Sequence, residues 1–344
     1  MSVIKKRNLT LKDVALSLNT STATISNAFN RPDQLSATKR EKILTACKEL
    51  GYDGPNKAAQ ILRKGKSNII ALILADSIEY MVTDPVASSF IQGVTQVFKK
   101  QHKHLLLYAG DSTSIRDVID FVDGFICYGA PRNHLLIEQI NLQNKPVVTV
   151  DFNLGDCSSV NIDNDKAAYE IAKLALKTDD KVAIIGLRLI DANHTCRIYD
   201  SPLIDVEHCV THRRLEGYFK AMKDAGVELS SGCIWHTPEN KHKFARQAAL
   251  EVLNTRPLPT LILCMSDLIA IEVLQCAKEL EIKVPQDLRI TGFDGISEAV
   301  RVTPNISTVS QSSVEKGVAA ANMLLNGTAG GVILPYSLQK GGTI

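Results

Sequence analysis

The sequence predicts a small all-α helix-turn-helix domain followed by an α/β core of two doubly wound parallel-sheet subdomains. Three observations predict it. Residues Thr10–Asn30, TLKDVALSLNTSTATISNAFN, carry apolar side chains at helical spacing on either side of a polar break. From Asn68 the pattern changes to short apolar runs alternating with amphipathic stretches, as strands joined by crossover helices require. Charge divides at the same place. Residues 1–66 hold 13 Lys and Arg against 5 Asp and Glu, while the whole chain of 344 residues is only +2. The remainder is therefore acidic.

The first helix is Leu11–Leu18, with Val14, Ala15 and Leu18 on its inner face. Asn19 and Thr20 break the apolar pattern, and Asn tolerates a left-handed backbone better than most residues. Ser21 supplies an N-cap oxygen for a second helix running to about Phe29, with Ile25, Ala28 and Phe29 on one face. Thr22, Ala23, Ser26 and Asn27 then point outward. These side chains are short, so the helix suits close approach to base edges in a major groove. Paired amphipathic helices also occur in domains that never meet DNA, and a charge run is often only a solvated face. Their coincidence favours phosphate-backbone binding. Ser36 opens a third helix, SATKREKILTACKEL, and Gly51 ends it as the C′ residue. Ile43, Leu44, Cys47 and Leu50 can close a small core. Gly51, Gly54 and Pro55 mark a linker. Asn56 caps a short helix, Lys57–Lys64, which presents Ala59, Leu62 and Arg63 and is too short to be stable alone.

The run NIIALILA at 68–75 reads as a buried parallel strand. Helices at about 87–101, 115–121 and 133–142 alternate with strands at 104–109, 124–128 and 146–151. A second series has helices at 165–176, 212–225, 241–254 and 267–280 with strands at 181–186, 233–236, 260–264 and 288–293. A strand-like 306–310, a helix at 314–326 and a strand-like 332–338 complete the chain. Roughly 270 residues of this pattern exceed one comfortable core, so two subdomains are expected.

Several classes are disfavoured. No apolar run approaches a membrane span, and the N-terminus lacks the apolar segment of a signal peptide, so a cytoplasmic location is expected. The eight cysteines are scattered without a CxxC pair and read as reduced, small hydrophobes. Glu207, His208, Cys209 and His212 are zinc-ligand types, but their spacing is not a recognised one, so no metal and no other cofactor is expected. No nucleophile elbow or glycine-rich phosphate loop is present, so enzymatic activity is not expected.

The chain resembles the lactose-repressor family of bacterial transcription regulators along essentially its whole length. The resemblance is carried by TLKDVA at 10–15, TSTATISNAFN at 20–30 and GYDGPNKAAQILR at 51–63. IDND at 162–165, HRRLEGYFKAM at 212–222 and ITGFDG at 290–295 extend it. It implies a headpiece at 1–54, a hinge helix and linker at 55–66, and a core at 67–344 like periplasmic sugar-binding proteins. The core lobes would be interleaved, with about 67–163 and 294–328 in one and 164–293 plus 329–344 in the other. A homodimer on a pseudo-palindromic operator in double-stranded DNA, associated with the nucleoid, is implied too.

By the same resemblance Thr22, Ala23 and Asn27 match base-reading positions. Thr10, Ser21, Thr24 and Asn30 match positions that touch or orient phosphates. Asn56, Ala59 and Leu62 belong to the hinge, where Leu62 matches a minor-groove wedge. An apolar wedge can kink a duplex, although Leu62 could instead contact its own core. Asn19 stands where glycine is common, and Ala23 could at most touch a thymine methyl.

The effector site would lie between the lobes, outside the carboxyl ends of the strands. Asp151, Arg214, Ser266 and Asp294 match or adjoin ligand-contacting positions. Carboxylates and a guanidinium suit vicinal hydroxyls. Trp235 could stack on a sugar face or serve the core. Leu187–Val210 is long enough to shape the pocket rim, and Asp84 caps the helix that Pro85 starts. The expected function is a repressor of carbohydrate-utilisation genes controlled by a sugar. A nucleoside or nucleobase effector stays open, as does a sugar-binding protein without DNA function.

Overall fold

The computed structural model describes residues 9–54, 65–131, 133–199, 209–228 and 232–344. The chain forms two compact units that divide between Ser67 and Asn68. The predicted helix Lys57–Lys64, with Asn56, Ala59 and Leu62, lies outside the described residues, as do Glu207 and His208.

The first unit holds α1 (Leu11–Ser17), α2 (Thr22–Asn30) and α3 (Ala37–Glu49). Thr10 caps α1 with a reciprocal box: its hydroxyl accepts from the Asp13 amide, and its own amide donates to the Asp13 carboxylate at 2.8 Å. Asn19 adopts φ +47° in the turn, which is where a short polar side chain is tolerated. Val14, Ala15, Ile25, Ala28, Ile43, Cys47 and Tyr52 form the core, with Phe29 edge-on to Tyr52. Leu50 does not join them. It is the C-cap of α3 and 39% exposed, and the chain turns away through Gly51 at φ +72°.

The second unit begins β1 (Ile69–Leu74), α4 (Ile78–Thr83), α5 (Pro85–Lys100), β2 (His104–Tyr108), α6 (Arg116–Ile119) and β3 (Gly124–Tyr128). It continues with α7 (His134–Asn141), β4 (Val147–Val150), β5 (Ser158–Ile162), α8 (Asn164–Ala175), β6 (Val182–Leu187), β7 (Cys196–Ile198) and α9 (Val210–Asp224). Next come β8 (Ile234–Thr237), α10 (His242–Leu253), β9 (Leu261–Cys264), α11 (Asp267–Glu279) and β10 (Arg289–Thr291). The end is β11 (Thr308–Ser310), α12 (Ser313–Asn326), β12 (Gly331–Leu334) and β13 (Ser337–Gln339).

Two sheets result. The first is parallel in the order β12-β5-β4-β3-β1-β2. The second runs β10-β9-β6-β8-β7, with only the edge strand β7 antiparallel. Strand alternation feeds an apolar layer on each face. Ile70, Leu72 and Leu74 of β1 pack under α5 and α12, while Ala71 and Ile73 join the opposite layer with Ile115 and Leu136. In the second sheet, Ile184 and Leu263 face α8 and α9, while Ile185 and Cys264 face α10 and α11. Gly217 lets α9 lie against α8: a Cβ there would stand 2.2 Å from the Asp165 carbonyl oxygen.

The sheets correct the expected lobe boundaries. β12 pairs in parallel with β5 in the first sheet, although 329–344 was expected wholly in the second lobe. Residues 294–310, expected in the first lobe, stay with the second. Ser307 and Ser310 bridge to Thr291 and Asp294, and Ile306 and Val309 enter the second lobe's apolar layers. The late crossings therefore fall near Gln311 and Pro335. Besides a 3-10 turn at Pro32–Gln34, three elements of the second unit lay unseen in the sequence. β5 is SSVNI, too polar to read as a strand, β7 sits inside the long 187–210 segment, and α4 is a short helix capped by Ser77.

Candidate functional site

Two sets of residues carry chemistry. In the first unit, Ser21 caps α2 by accepting from the Thr24 amide at 3.1 Å, and the two hydroxyls lie 2.8 Å apart. This positions Thr22 and Ala23 exposed on the first turn, with Asn27 half-buried one turn on. Ile25 and Ala28 hold the opposite face in the core. No acidic residue lies in the first turn of α2. Its outer face is a short, uncharged hydrogen-bonding surface whose N-terminal backbone favours anions. The Thr10 hydroxyl is committed to its own cap, donating to Asp13 at 2.7 Å. The Asn30 amide turns back onto the Ser26 carbonyl at 3.0 Å.

In the second unit, a cavity of about 220 Å³ opens between the lobes. Its walls are the segments that leave the carboxyl ends of the parallel strands: Asp76 after β1, Gly129 after β3, Asp151 after β4, Arg188 after β6, Asn240 after β8 and Asp294 after β10. Open α/β sheets place ligands there, because the backbone ends and the side chains following them converge.

Arg214, on α9, is buried and held in place from several sides. Its Nε donates to Asn164 Oδ1 at 3.0 Å, and Nη1 donates to the Met265 carbonyl at 2.7 Å. Nη1 also reaches Asp294 Oδ1 at 3.4 Å, and the guanidinium lies 3.6 Å from the centre of the Phe293 ring. Among the described residues Nη2 has no hydrogen-bond partner, and Arg214 lines the cavity. Asp294 has φ +119° and accepts from Gln311 Nε2 at 2.6 Å. Burial, with Asp267 and Asp84 nearby, pushes its carboxyl well above the usual range despite Arg214 and Lys316.

A buried chain of groups joins the lobes. Lys316 of α12 donates from Nζ to Asp151 Oδ1 at 2.6 Å and to Gln311 Oε1. Gln311 then donates to Asp294. Across the mouth, the Asn240 amide nitrogen donates to the Tyr80 hydroxyl at 2.8 Å, and Asn240 Nδ2 donates to Asp84 Oδ2 at 3.1 Å. Asp84 Oδ1 simultaneously caps α5 through the Val86 and Ala87 amides.

Sequence reasoning singled out Asp151, Arg214 and Asp294, and the structure brings all three to this cavity. It does not bring Trp235 there. Trp235 is the middle of β8 and points into the layer under α10, with the Arg197 guanidinium 4.8 Å from its ring. Only the strand's end reaches the cleft. Ser266 stands one layer back: it caps α11 and donates to Asn240 Oδ1 at 2.6 Å. Asn240, Gln311, Lys316 and Tyr80 went unnoticed. For Asn240 and Gln311 a signal existed, since each closely follows a predicted strand.

The comparisons accord with this geometry. Residues 10–56 match the model for bacterial regulatory proteins of the lacI family, and residues 188–337 match a periplasmic binding protein-like domain. An HTH-type transcriptional regulator of Mycobacterium tuberculosis is 32% identical over 100% of this chain and 99% of its own. Among solved structures, the lac repressor dimer bound to operator and an anti-inducer superposes with a TM-score of 0.74 at 19% identity, covering 98% of this chain and 99% of that one. The regulator CelR in complex with cellobiose gives 0.66 at 21% identity, with 97% and 99% covered.

Proposed function

The chain belongs to the lacI family of bacterial regulatory proteins, and from that premise we propose that it represses carbohydrate-utilisation genes in answer to a compact, uncharged sugar. It is a DNA-binding transcriptional regulator with a ligand-binding core, not an enzyme. The observation that carries the ligand class is the set of polar groups around the cavity. Asp84, Asp151, Asp294, Arg214 and Asn240 surround about 220 Å³, below the roughly 300–1,000 Å³ typical of drug-sized ligands. Carboxylates accept from vicinal hydroxyls and the Arg214 guanidinium donates to them, so paired hydrogen bonds fix a polyol's orientation. Carboxylates outnumber guanidinium groups around this space, which disfavours phosphorylated sugars. Tyr128 stacks on Phe90 at 4.4 Å, which leaves less aromatic surface for a nucleobase. The cellobiose complex of a fold relative supports the carbohydrate reading.

On DNA, Thr22, Ala23 and Asn27 face base edges, while Thr10, Ser21, Thr24 and Asn30 orient phosphates. Asn56, Ala59 and Leu62 enter the minor groove at the centre of a pseudo-palindrome occupied by a homodimer. A ligand shifts this equilibrium only by differential affinity for two arrangements of the lobes. The test is a titration of the full chain against the duplex upstream of its own gene at stated salt, with a panel of neutral sugars, sugar phosphates and nucleosides. Specific binding weakened by one neutral sugar supports the proposal. Weakening by a nucleoside or phosphate alone overturns the ligand class, and strengthening by a sugar overturns the inducible-repressor reading. Salt-sensitive, sequence-blind binding to that duplex and to genomic fragments alike would overturn the regulator's proposed specificity.

A further inference from the structure

The wall of the inter-lobe cavity contains a thiol that the ligand reading does not use. Cys209 is the N-cap residue of α9 and lines the cavity beside Thr211 and Arg214. Its Sγ lies 2.9 Å from the Thr211 hydroxyl. One turn on, His212 is only 2% exposed, and among the described residues neither ring nitrogen has a hydrogen-bond partner. A buried imidazole with both nitrogens idle is costly unless something draws on it. That ring lies close enough to Cys209 to favour the thiolate, although without a hydrogen bond of ordinary geometry.

We propose that Cys209 is a modification site in the cavity wall, taking soft electrophiles of the α,β-unsaturated carbonyl class, with His212 as the proton acceptor. His212 accepts the thiol proton. The sulfur then forms a bond to the β carbon, the double-bond electrons move to the carbonyl as an enolate, and the α carbon takes the proton back. No oxidant or leaving group is needed. The adduct stands in the space between the lobes.

Burial of Cys209 raises its pKa, but the His212 and Thr211 side chains outweigh this and bring it down to about 7 from the usual value near 9. The helix N-terminus acts in the same sense. Six other thiols are pushed upward by burial: Cys47, Cys127, Cys157, Cys196, Cys264 and Cys276. At neutral pH the shift gives about 50-fold more thiolate, while lower intrinsic nucleophilicity removes about 8-fold, leaving a net gain of roughly 6-fold over an ordinary exposed thiol.

The test treats the full chain at pH 7 with substoichiometric N-ethylmaleimide and follows each cysteine by peptide mass spectrometry. Cys209 should label first, at least about 6-fold faster than Cys157 or Cys196. Cys209→Ser should remove the fast phase. His212→Asn should slow labelling several-fold, and His212→Gln repeats the test if the first variant fails to fold. Labelling led by another cysteine, or equal rates in folded His212 variants and wild type, would overturn the proposal. DNA takes no part in this measurement, so its failure leaves the regulator reading intact, and failure of that reading leaves the thiol chemistry intact.

Discussion

Lys316→Met probes the buried chain that joins the lobes. The side chain is 1% exposed and its Nζ serves two acceptors, Asp151 at 2.6 Å and Gln311. Methionine fills nearly the same volume without charge, so packing is largely kept. What remains is the Asp151 carboxylate facing a vacated cation site, and Gln311 without an anchor for its carbonyl. Removing one partner of a buried ion pair costs about 3–5 kcal/mol, chiefly because the other charge stays uncompensated. Asp151 keeps 13% exposure, which places the expected loss near the lower end, about 3 kcal/mol. The double variant Asp151→Asn/Lys316→Met removes the stranded charge and should recover most of that loss. The assay is urea unfolding of the full chain by circular dichroism, comparing core midpoints at unchanged slope. A loss below about 1 kcal/mol in the single variant, or no recovery in the double, would refute the assignment of Lys316–Asp151 as a buried pair.

Asn240→Ala removes the donor to Asp84 and the acceptor for Ser266, each worth about 1 kcal/mol. Calorimetric affinity for the effector should fall roughly tenfold or more, and an unchanged affinity would remove Asn240 from the site. Gly217→Ala puts a Cβ 2.2 Å from the Asp165 carbonyl, so α8 and α9 must separate at a cost of about 1–3 kcal/mol. Arg214 rides on α9, so the melting point and ligand affinity should fall together. His236 accepts from the Leu189 amide at 3.1 Å while its other nitrogen faces the Ala192 carbonyl. Burial holds its pKa below the usual 6.5. The folded chain therefore binds fewer protons here than the unfolded one, so this contribution is complete above pH 6.5 and is lost as the pH falls through the lowered pKa. Asp267 works in the opposite sense, since burial raises its carboxyl to about 7. The measurement is accordingly the melting-point difference between wild type and His236→Gln, which should shrink from pH 7.5 to 5.5. A constant difference would argue against a buried neutral His236.

The sequence made some of this legible because the period of apolar residues and the direction of burial coincide there. Strands such as Ile69–Leu74 are buried on both faces and read as continuous apolar runs. Thr10, Asn19, Ser21 and Gly51 occupy positions whose backbone chemistry admits few residue types. The two strands at one side of the first sheet gave a weaker signal. β5 alternates Ser159 and Asn161 with Val160 and Ile162, and β12 has only two half-buried apolar residues. Their placement depends on ladder partners far along the chain, which local patterning does not encode.

The site shows the same division. Asp151, Arg214 and Asp294 are readable because they follow strands or sit in a motif, and a crossover sheet delivers strand ends to one rim. Trp235 fails the same rule by two residues: a side chain in mid-strand faces a helix layer, whatever its chemistry. Lys316 could not be read at all. On a predicted amphipathic helix it looks like a solvated charge, yet it is buried, because Asp151 from the end of β4 and Gln311 from the crossing before α12 converge on it. Those partners meet only where α12 rejoins the first lobe while Asp294 stays with the second. A residue whose burial depends on that late crossing could be placed only after β12 and β11 had been assigned to opposite lobes.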